Sequence, residues 1–143
     1  LNNTNKPLVL GGELYDDSWT LPGGNSITSK LIEDAGGEFL NFGDSSAGSY
    51  KIDYEIILNN KQAVDFWIFP TYDFNPITKE YLLQKNPKYK FLPIIETKNI
   101  AVCNTAKTPY FEQGIVEPNV ILNDLINIFN NRADTNTYFK LIN

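Results

Sequence analysis

Ala63-Val64-Asp65-Phe66-Trp67-Ile68-Phe69, closed by Pro70, is the stretch on which the fold turns. It is β-branched and aromatic and stops at a residue that cannot donate to a sheet ladder, so it reads as the clearest strand of the chain. Working back from it, Asp53 is positioned to cap a helix through Tyr54, Ile57 and Leu58, ended by Asn59-Asn60. Phe39 to Phe42 reads as a short strand, and Gly43 to Ser49 as a loop. Ile27, Leu31, Ile32 and Ala35 keep helical spacing behind a cap at Asn25 or Ser26, and Gly36-Gly37 stops that helix. Asp16 to Gly24 is rich in turn formers and reads as a loop, while Pro7-Leu8-Val9-Leu10 reads as a buried strand running on towards Leu14. Working forward, the pattern predicts a helix from Ile77 to Gln84, an extended connection from Phe91 to Ile95, and a strand over Ile100-Ala101-Val102-Cys103. A long loop over Asn104 to Pro118 then precedes an amphipathic helix carrying Val120, Leu122, Leu125, Ile126, Ile128 and Phe129. Tyr138, Phe139, Leu141 and Ile142 form a terminal piece that folds back.

Strands alternating with helices predict an α/β domain, a three-layer αβα sandwich around a mostly parallel sheet. The whole of 1–143 reads as one domain. Ligands of such sheets sit beyond the carboxyl ends of the strands. Three loops leave those ends: one with Trp19 and Pro22-Gly23-Gly24-Asn25, one with Tyr72 and Asp73, one with Thr105, Tyr110 and Phe111.

Composition removes much chemistry. Lys and Arg number 12 against 17 Asp and Glu, a formal charge of −5, and no basic stripe is present, so nucleic acid is not an expected partner. There is no His, and the one arginine is Arg132, which excludes His-dependent catalysis, His-ligated metal and an arginine clamp elsewhere in the chain. Cys103 is alone, forms no internal disulfide, and reads as a small buried hydrophobe. Asp16, Asp17, Glu33 and Asp34 lie near one another, yet they make no arrangement of base, nucleophile and oxyanion donor. No enzyme activity, cofactor or metal site is therefore expected. No apolar run approaches the ~20 residues of a membrane span, and Leu1 to Lys6 shows neither an export signal nor a lipid-acceptor cysteine.

The Pro22-Gly23-Gly24 turn has two readings. It is either a tight strand-to-helix turn or, at a helix N-terminus, a cradle of amides for an anion, which would make the chain a small nucleotide- or phosphate-binding enzyme domain. Trp19 in the same polar stretch either folds onto the body or offers a stacking face. Tyr72 and Tyr110 share those alternatives, and convergence of the three loops would make an aromatic, amide-rich wall for a bulky, weakly charged ring system. Glu55, on chemistry alone, is an acid favoured by the first turn of a helix.

Trp19-Thr20-Leu21-Pro22-Gly23-Gly24-Asn25-Ser26, then Asp34-Ala35-Gly36-Gly37, Asp53-Tyr54-Glu55 and Ala63 to Ile68 resemble, in order, the second half of ABC-importer substrate-binding proteins of the vitamin B12, iron-siderophore and haem type. Val102 to Thr105, Tyr110 to Gly114 and Pro118 to Leu125 are similar to the closing segments of forms common in Bacteroidetes-like bacteria. The resemblance implies two α/β lobes joined by a long helix, of which this chain is the carboxyl-terminal one, as a lobe produced alone, a proteolytic product or a truncated gene. It implies a non-enzymatic protein in the periplasm or at the outer face of the inner membrane, holding a siderophore, corrinoid or haem against its own amino-terminal lobe. It carries ligand contact to Trp19, Pro22, Gly23, Gly24, Asn25, Tyr72 and Tyr110, and docking on an ABC permease to Glu55. The family's loops often hold arginines against anionic iron complexes; here Lys107 is the nearest cation, which favours a weakly charged chelate. A stand-alone interaction module descended from such a lobe is a third reading.

Overall fold

A computed structural model describes residues 5–60, 62–114 and 116–143. The central strand β6 (Phe66–Thr71) is flanked in parallel by β1 (Leu8–Leu10) and β7 (Ile100–Asn104). Its side chains alternate between two cores: Phe66 and Ile68 enter one, Trp67 and Phe69 the other. A strand apolar on both faces needs both faces covered. With β4 (Glu38–Phe39) parallel to β1 and β8 (Lys140–Leu141) antiparallel to β7, the sheet order is β4-β1-β6-β7-β8.

One face is covered by α1 (Ile27–Asp34) and α4 (Pro118–Phe129), which bring Ile32, Ile121, Leu125 and Ile128 onto Val9, Ile68 and Ala101. Ser26 caps α1 by accepting from the Ser29 amide at 3.1 Å, and Gly36, at φ +100°, ends it in a conformation side chains avoid. The opposite face is covered by a three-stranded antiparallel sheet, β2 (Glu13–Tyr15), β3 (Ser18–Pro22) and β5 (Ser49–Asp53), together with α2 (Tyr54–Leu58), α3 (Lys79–Lys85) and two 3₁₀ turns, Pro87–Phe91 and Pro93–Glu96. The α/β class and mostly parallel sheet are as expected, with one outer layer built partly from strands.

That second sheet is the main departure from expectation. Gly12 bends the chain at φ +81°, where an added Cβ would stand 2.0 Å from the Thr20 carbonyl oxygen, so the first strand stops at Leu10 and a hairpin begins. Asp16, also left-handed, turns β2 into β3. Ser18-Trp19-Thr20-Leu21 then alternates outward and inward, and the expected Gly43 to Ser49 loop ends in Ser49, the first residue of its partner β5. Pro70 lies inside β6 because β1 has already ended, leaving that flank of the strand without a neighbour that needs an amide.

The tail is fastened by a buried carboxylate. Asp124, on α4, accepts from the amides of Thr137, Tyr138 and Phe139 at 3.0, 2.6 and 3.1 Å, which holds Tyr138 and Phe139 in the core. Charge-assisted bonds of this kind are about twice as strong as neutral ones. Cys103 is buried, and desolvation pushes its thiol up to about 12, in keeping with a small apolar filler. No helix among the described residues is long and apolar enough to cross a membrane.

Candidate functional site

Because β1, β4, β6 and β7 run in parallel, their carboxyl ends share one edge, where Gly11, Leu40, Tyr72 and Thr105 follow the strands. Pro22, Thr28, Pro70 and Tyr110 border one narrow interior space with Ile32, Ile68 and Phe139, so the start of α1, the end of β6 and the Tyr110 segment pack together on the face covered by α1 and α4. The expected Trp19 to Asn25 loop does not leave a carboxyl end, because Ser18–Pro22 is β3 of the antiparallel sheet. Two of the three rings are buried.

Trp19 is fully buried. It stacks on Tyr54 at 5.9 Å between centroids, tilts against Trp67 at 5.6 Å and meets the edge of Tyr89 at 6.1 Å. Its Nε1–H donates to the Gly11 carbonyl at 2.8 Å, and Trp67 Nε1–H donates to the adjacent Gly12 carbonyl at the same distance. Tyr89, buried deeply enough that its hydroxyl titrates well above the usual range, accepts the Leu14 amide at 2.9 Å. Both indole donors and this phenol are thus satisfied by the bend and hairpin that cover them, which is why the ring that sequence reasoning placed on the rim is inside. Tyr110 is buried too, but on the other face of the sheet, against Tyr138 and Phe139. It sits in a π-helical turn, Tyr110–Gly114, within the expected long loop. Neither ring presents a face to a ligand.

The glycine turn is likewise committed to structure. The Gly23 amide donates to the Gly48 carbonyl at 2.6 Å, Gly24 to Asp44 Oδ2 at 3.4 Å, Asn25 to the Ser46 carbonyl at 2.9 Å and Ser26 to the Gly23 carbonyl at 3.0 Å. Four consecutive donors are therefore paired internally, and a carboxylate stands where a phosphate would have to enter. A Cβ on Gly23 or Gly24 would approach the Ser46 or Asp44 carbonyl oxygen to 2.2 or 2.1 Å. The glycines let residues 44–48 lie across the turn; they are not an anion cradle, and the phosphate-binding reading falls with them. Pro22 is half-buried and Asn25 exposed.

Tyr72 alone of the three rings is exposed, and beside it stands Phe74, which sequence reasoning left unassigned. The pair is T-shaped at 5.4 Å, with 65% and 78% of the residue surface open, so two large apolar faces sit in water at the carboxyl end of the central strand. Their loop is nevertheless fixed. Asp73 accepts from the Asn75 amide at 2.9 Å, from the Tyr81 hydroxyl at 2.8 Å and from Lys85 Nζ at 3.0 Å, contacts that hold its carboxyl well below the usual range, the Asn75 bond first. Asn104 on β7 accepts the Asp73 amide and donates to the Asn75 carbonyl, both at 3.3 Å. The signals for this device are Asp73 and Asn75 two apart, and Tyr81 and Lys85 four apart on α3. Nearby, Glu13 accepts from Thr71 Oγ1 at 3.2 Å; burial raises its carboxyl pKa, only partly countered by that bond. Lys107 is exposed.

Glu55 stands at the start of α2. It is exposed in the first turn of α2 and borders an open hollow of about 530 Å³ with Asp17, Asp53, Lys88 and Phe91. Asp53 holds the position before α2 but makes no side-chain capping bond; the helix start is tied by the Tyr54 amide donating to the Asp17 carbonyl at 3.0 Å. Asp17 in turn pairs with Lys88. Among the described residues no group of three or more His, Cys, Asp or Glu side chains is arranged to hold a metal ion.

No model of a protein family and no curated protein sequence matches this chain. Solved structures do. A TroA-like periplasmic binding protein, FepB, from Veillonella parvula superposes with a TM-score of 0.62 at 15% identity, over 96% of this chain and 49% of that one. The siderophore-binding protein FhuD from Vibrio cholerae, solved with Fe3+-Desferal bound, gives 0.55 at 15% identity over 87% and 46%. The chain thus spans about half the length of either and shares the fold of that half.

Proposed function

We propose that this chain is one lobe of a two-lobed extracytoplasmic binding protein that delivers a metal chelate to an ABC permease. The observation that carries the reading is the match of nearly the whole chain to half of two binding proteins. The carboxyl edge fits the role, since the braced Tyr72 and Phe74 pair offers bulky apolar faces, with the Lys85 cation already paired to Asp73 between them. On this reading Tyr72, Phe74 and Asn25 contact the ligand, while Trp19, Tyr110 and the Pro22-Gly23-Gly24 turn hold the lobe's shape beneath them. The absence of arginine from the edge loops favours a corrinoid or other weakly charged chelate over a strongly anionic one. The lobe would close on a partner lobe in the periplasm or at the outer face of the inner membrane, and exposed Glu55 would steer the loaded protein towards cations on the permease.

Equilibrium dialysis of the chain against ferric desferrioxamine, cyanocobalamin, haemin and ATP tests the reading. Saturable uptake of one of the three chelates, weakened by Tyr72→Ala, with none of ATP, is the expected result. No saturable uptake of any of the three, or a saturable ATP site, overturns it.

A further inference from the structure

Two hollows meet at α2. The first is the acidic one beside Glu55, where Asp17, Asp53 and Glu55 outnumber Lys88. The second, about 300 Å³, is lined mainly by Leu10, Leu40, Ile57, Val64, Leu92 and Ile94. Leu58 borders both. Glu55 and Leu58 stand three residues apart on the helix, so their side chains are neighbours on one face. The apolar hollow lies beside α2, between that helix and the segments 62–64 and 92–97 that precede β6 and β7. Exposed Phe91 borders the acidic hollow.

We infer that the apolar hollow is the anchoring half of a docking surface whose steering half is Glu55, and that a single partner segment fills both, with a cation on Glu55 and an aliphatic side chain a helical turn away in the hollow beside Leu58. The charge pattern selects this occupant. A neutral small molecule would gain nothing from Asp53 and Glu55 beside the Asp17–Lys88 pair, and an anionic lipid surface would be repelled by them. A second copy of the chain, at net charge −5, would bring like charges together. Coulombic attraction sets the rate and register of encounter, whereas withdrawal of an aliphatic side chain from water sets how long the complex lasts. The identification of the partner as a permease segment rests on the proposed function; the two-part surface itself does not.

The probes are short helix-forming peptides carrying one Arg and one Leu a helical turn apart, titrated into the chain and followed by amide shifts of Glu55, Leu58, Val64 and Ile94. The expected result is saturable shifts at all four positions, with affinity lowered roughly tenfold when the peptide Leu is replaced by Ser, as burial of one aliphatic side chain implies. Ala63 is exposed beside the hollow, and Ala63→Trp, which fills it, should erase the difference between Leu and Ser peptides; Leu58→Ser should do the same by a different route. Glu55→Gln should weaken both peptides and leave their ratio intact. Equal binding of Leu and Ser peptides to the unmodified chain, an unchanged ratio in Ala63→Trp and Leu58→Ser, or no saturable shifts at all overturns the inference. No chelate enters these titrations, so their failure leaves the dialysis result standing, and the converse holds.

Discussion

Two loops of this molecule begin with the same ingredients and end differently. Residues 16–25, which follow β2, and residues 72–76, which follow β6 at the carboxyl edge, each mix aromatic side chains with Asp, Asn, Pro or Gly. In the first, the chain turns back as a hairpin, Trp19 goes to the centre of a buried aromatic cluster, and the glycine amides bond to residues 44–48. In the second, the polar groups bond beneath the loop to α3 and β7, and the aromatic faces stay outside. The difference lies in what the backbone amides find. Where a neighbouring strand can accept them, the segment folds in and its aromatic becomes core; where only side chains accept them, the segment stands up and its aromatics are displayed. Display of that kind, on a braced loop, is what a binding surface needs.

The largest expected effect tests the buried side. Trp19→Ala removes a ring packed against Tyr54, Trp67 and Tyr89 and leaves the Gly11 carbonyl without its donor. Urea unfolding should show a loss of about 3–5 kcal/mol, as for other aromatic deletions in cores. A loss below about 1 kcal/mol, typical of surface positions, would mean that the ring is not core and that the two loops are alike after all.

Gly24→Ala comes next and separates packing from ligand chemistry within the first loop. Its Cβ would press on the Asp44 carbonyl oxygen at 2.1 Å, backbone that must move. Overpacking of this sort costs about 1–3 kcal/mol. The unfolding midpoint should fall accordingly while inorganic phosphate leaves both proteins equally stable. If phosphate stabilises the native protein and not the variant, the turn is an anion site and the contrast between the loops fails.

Much of this was legible in advance, and the illegible part has a common cause. β6 and β7 announce themselves as unbroken apolar runs, and α1 and α4 by apolar residues at helical spacing behind a capping serine or an opening proline. The hairpin hides because Ser18-Trp19-Thr20-Leu21 has the alternation of a strand but sits among turn formers, and its partner β5 lies some thirty residues on. Tyr110 reads as a loop tyrosine because only its tertiary neighbours bury it. Pro70 looks terminal because sequence does not say which flank of a strand is open. Parallel topology accounts for the Tyr72 and Thr105 segments lying at one edge, whereas the placement of Trp19 depends on the hairpin and on long-range hydrogen bonds. Tyr72 was legible as a candidate and Phe74 was not, since an alternating pair of aromatics across Asp73 becomes meaningful only once Tyr81 and Lys85 are seen to fasten that aspartate.

The smallest expected effect on stability belongs to that pair. Tyr72→Ser with Phe74→Ser removes two rings that make contact mainly with each other, so urea unfolding should move by no more than about 0.5 kcal/mol. The braces are untouched: Asp73, Asn75 and Asn104 keep their bonds, and the amides of residues 73 and 75 should exchange with solvent as slowly as before. Protein chains rarely hold large aromatic surface in water on a stiffened loop for the sake of folding, because that surface gains nothing until something covers it. A double variant that is equally stable but takes up no chelate would separate the displayed loop from the buried one by function as well as by structure. A double variant that unfolds early would show instead that these rings, like Trp19, belong to the core of the fold.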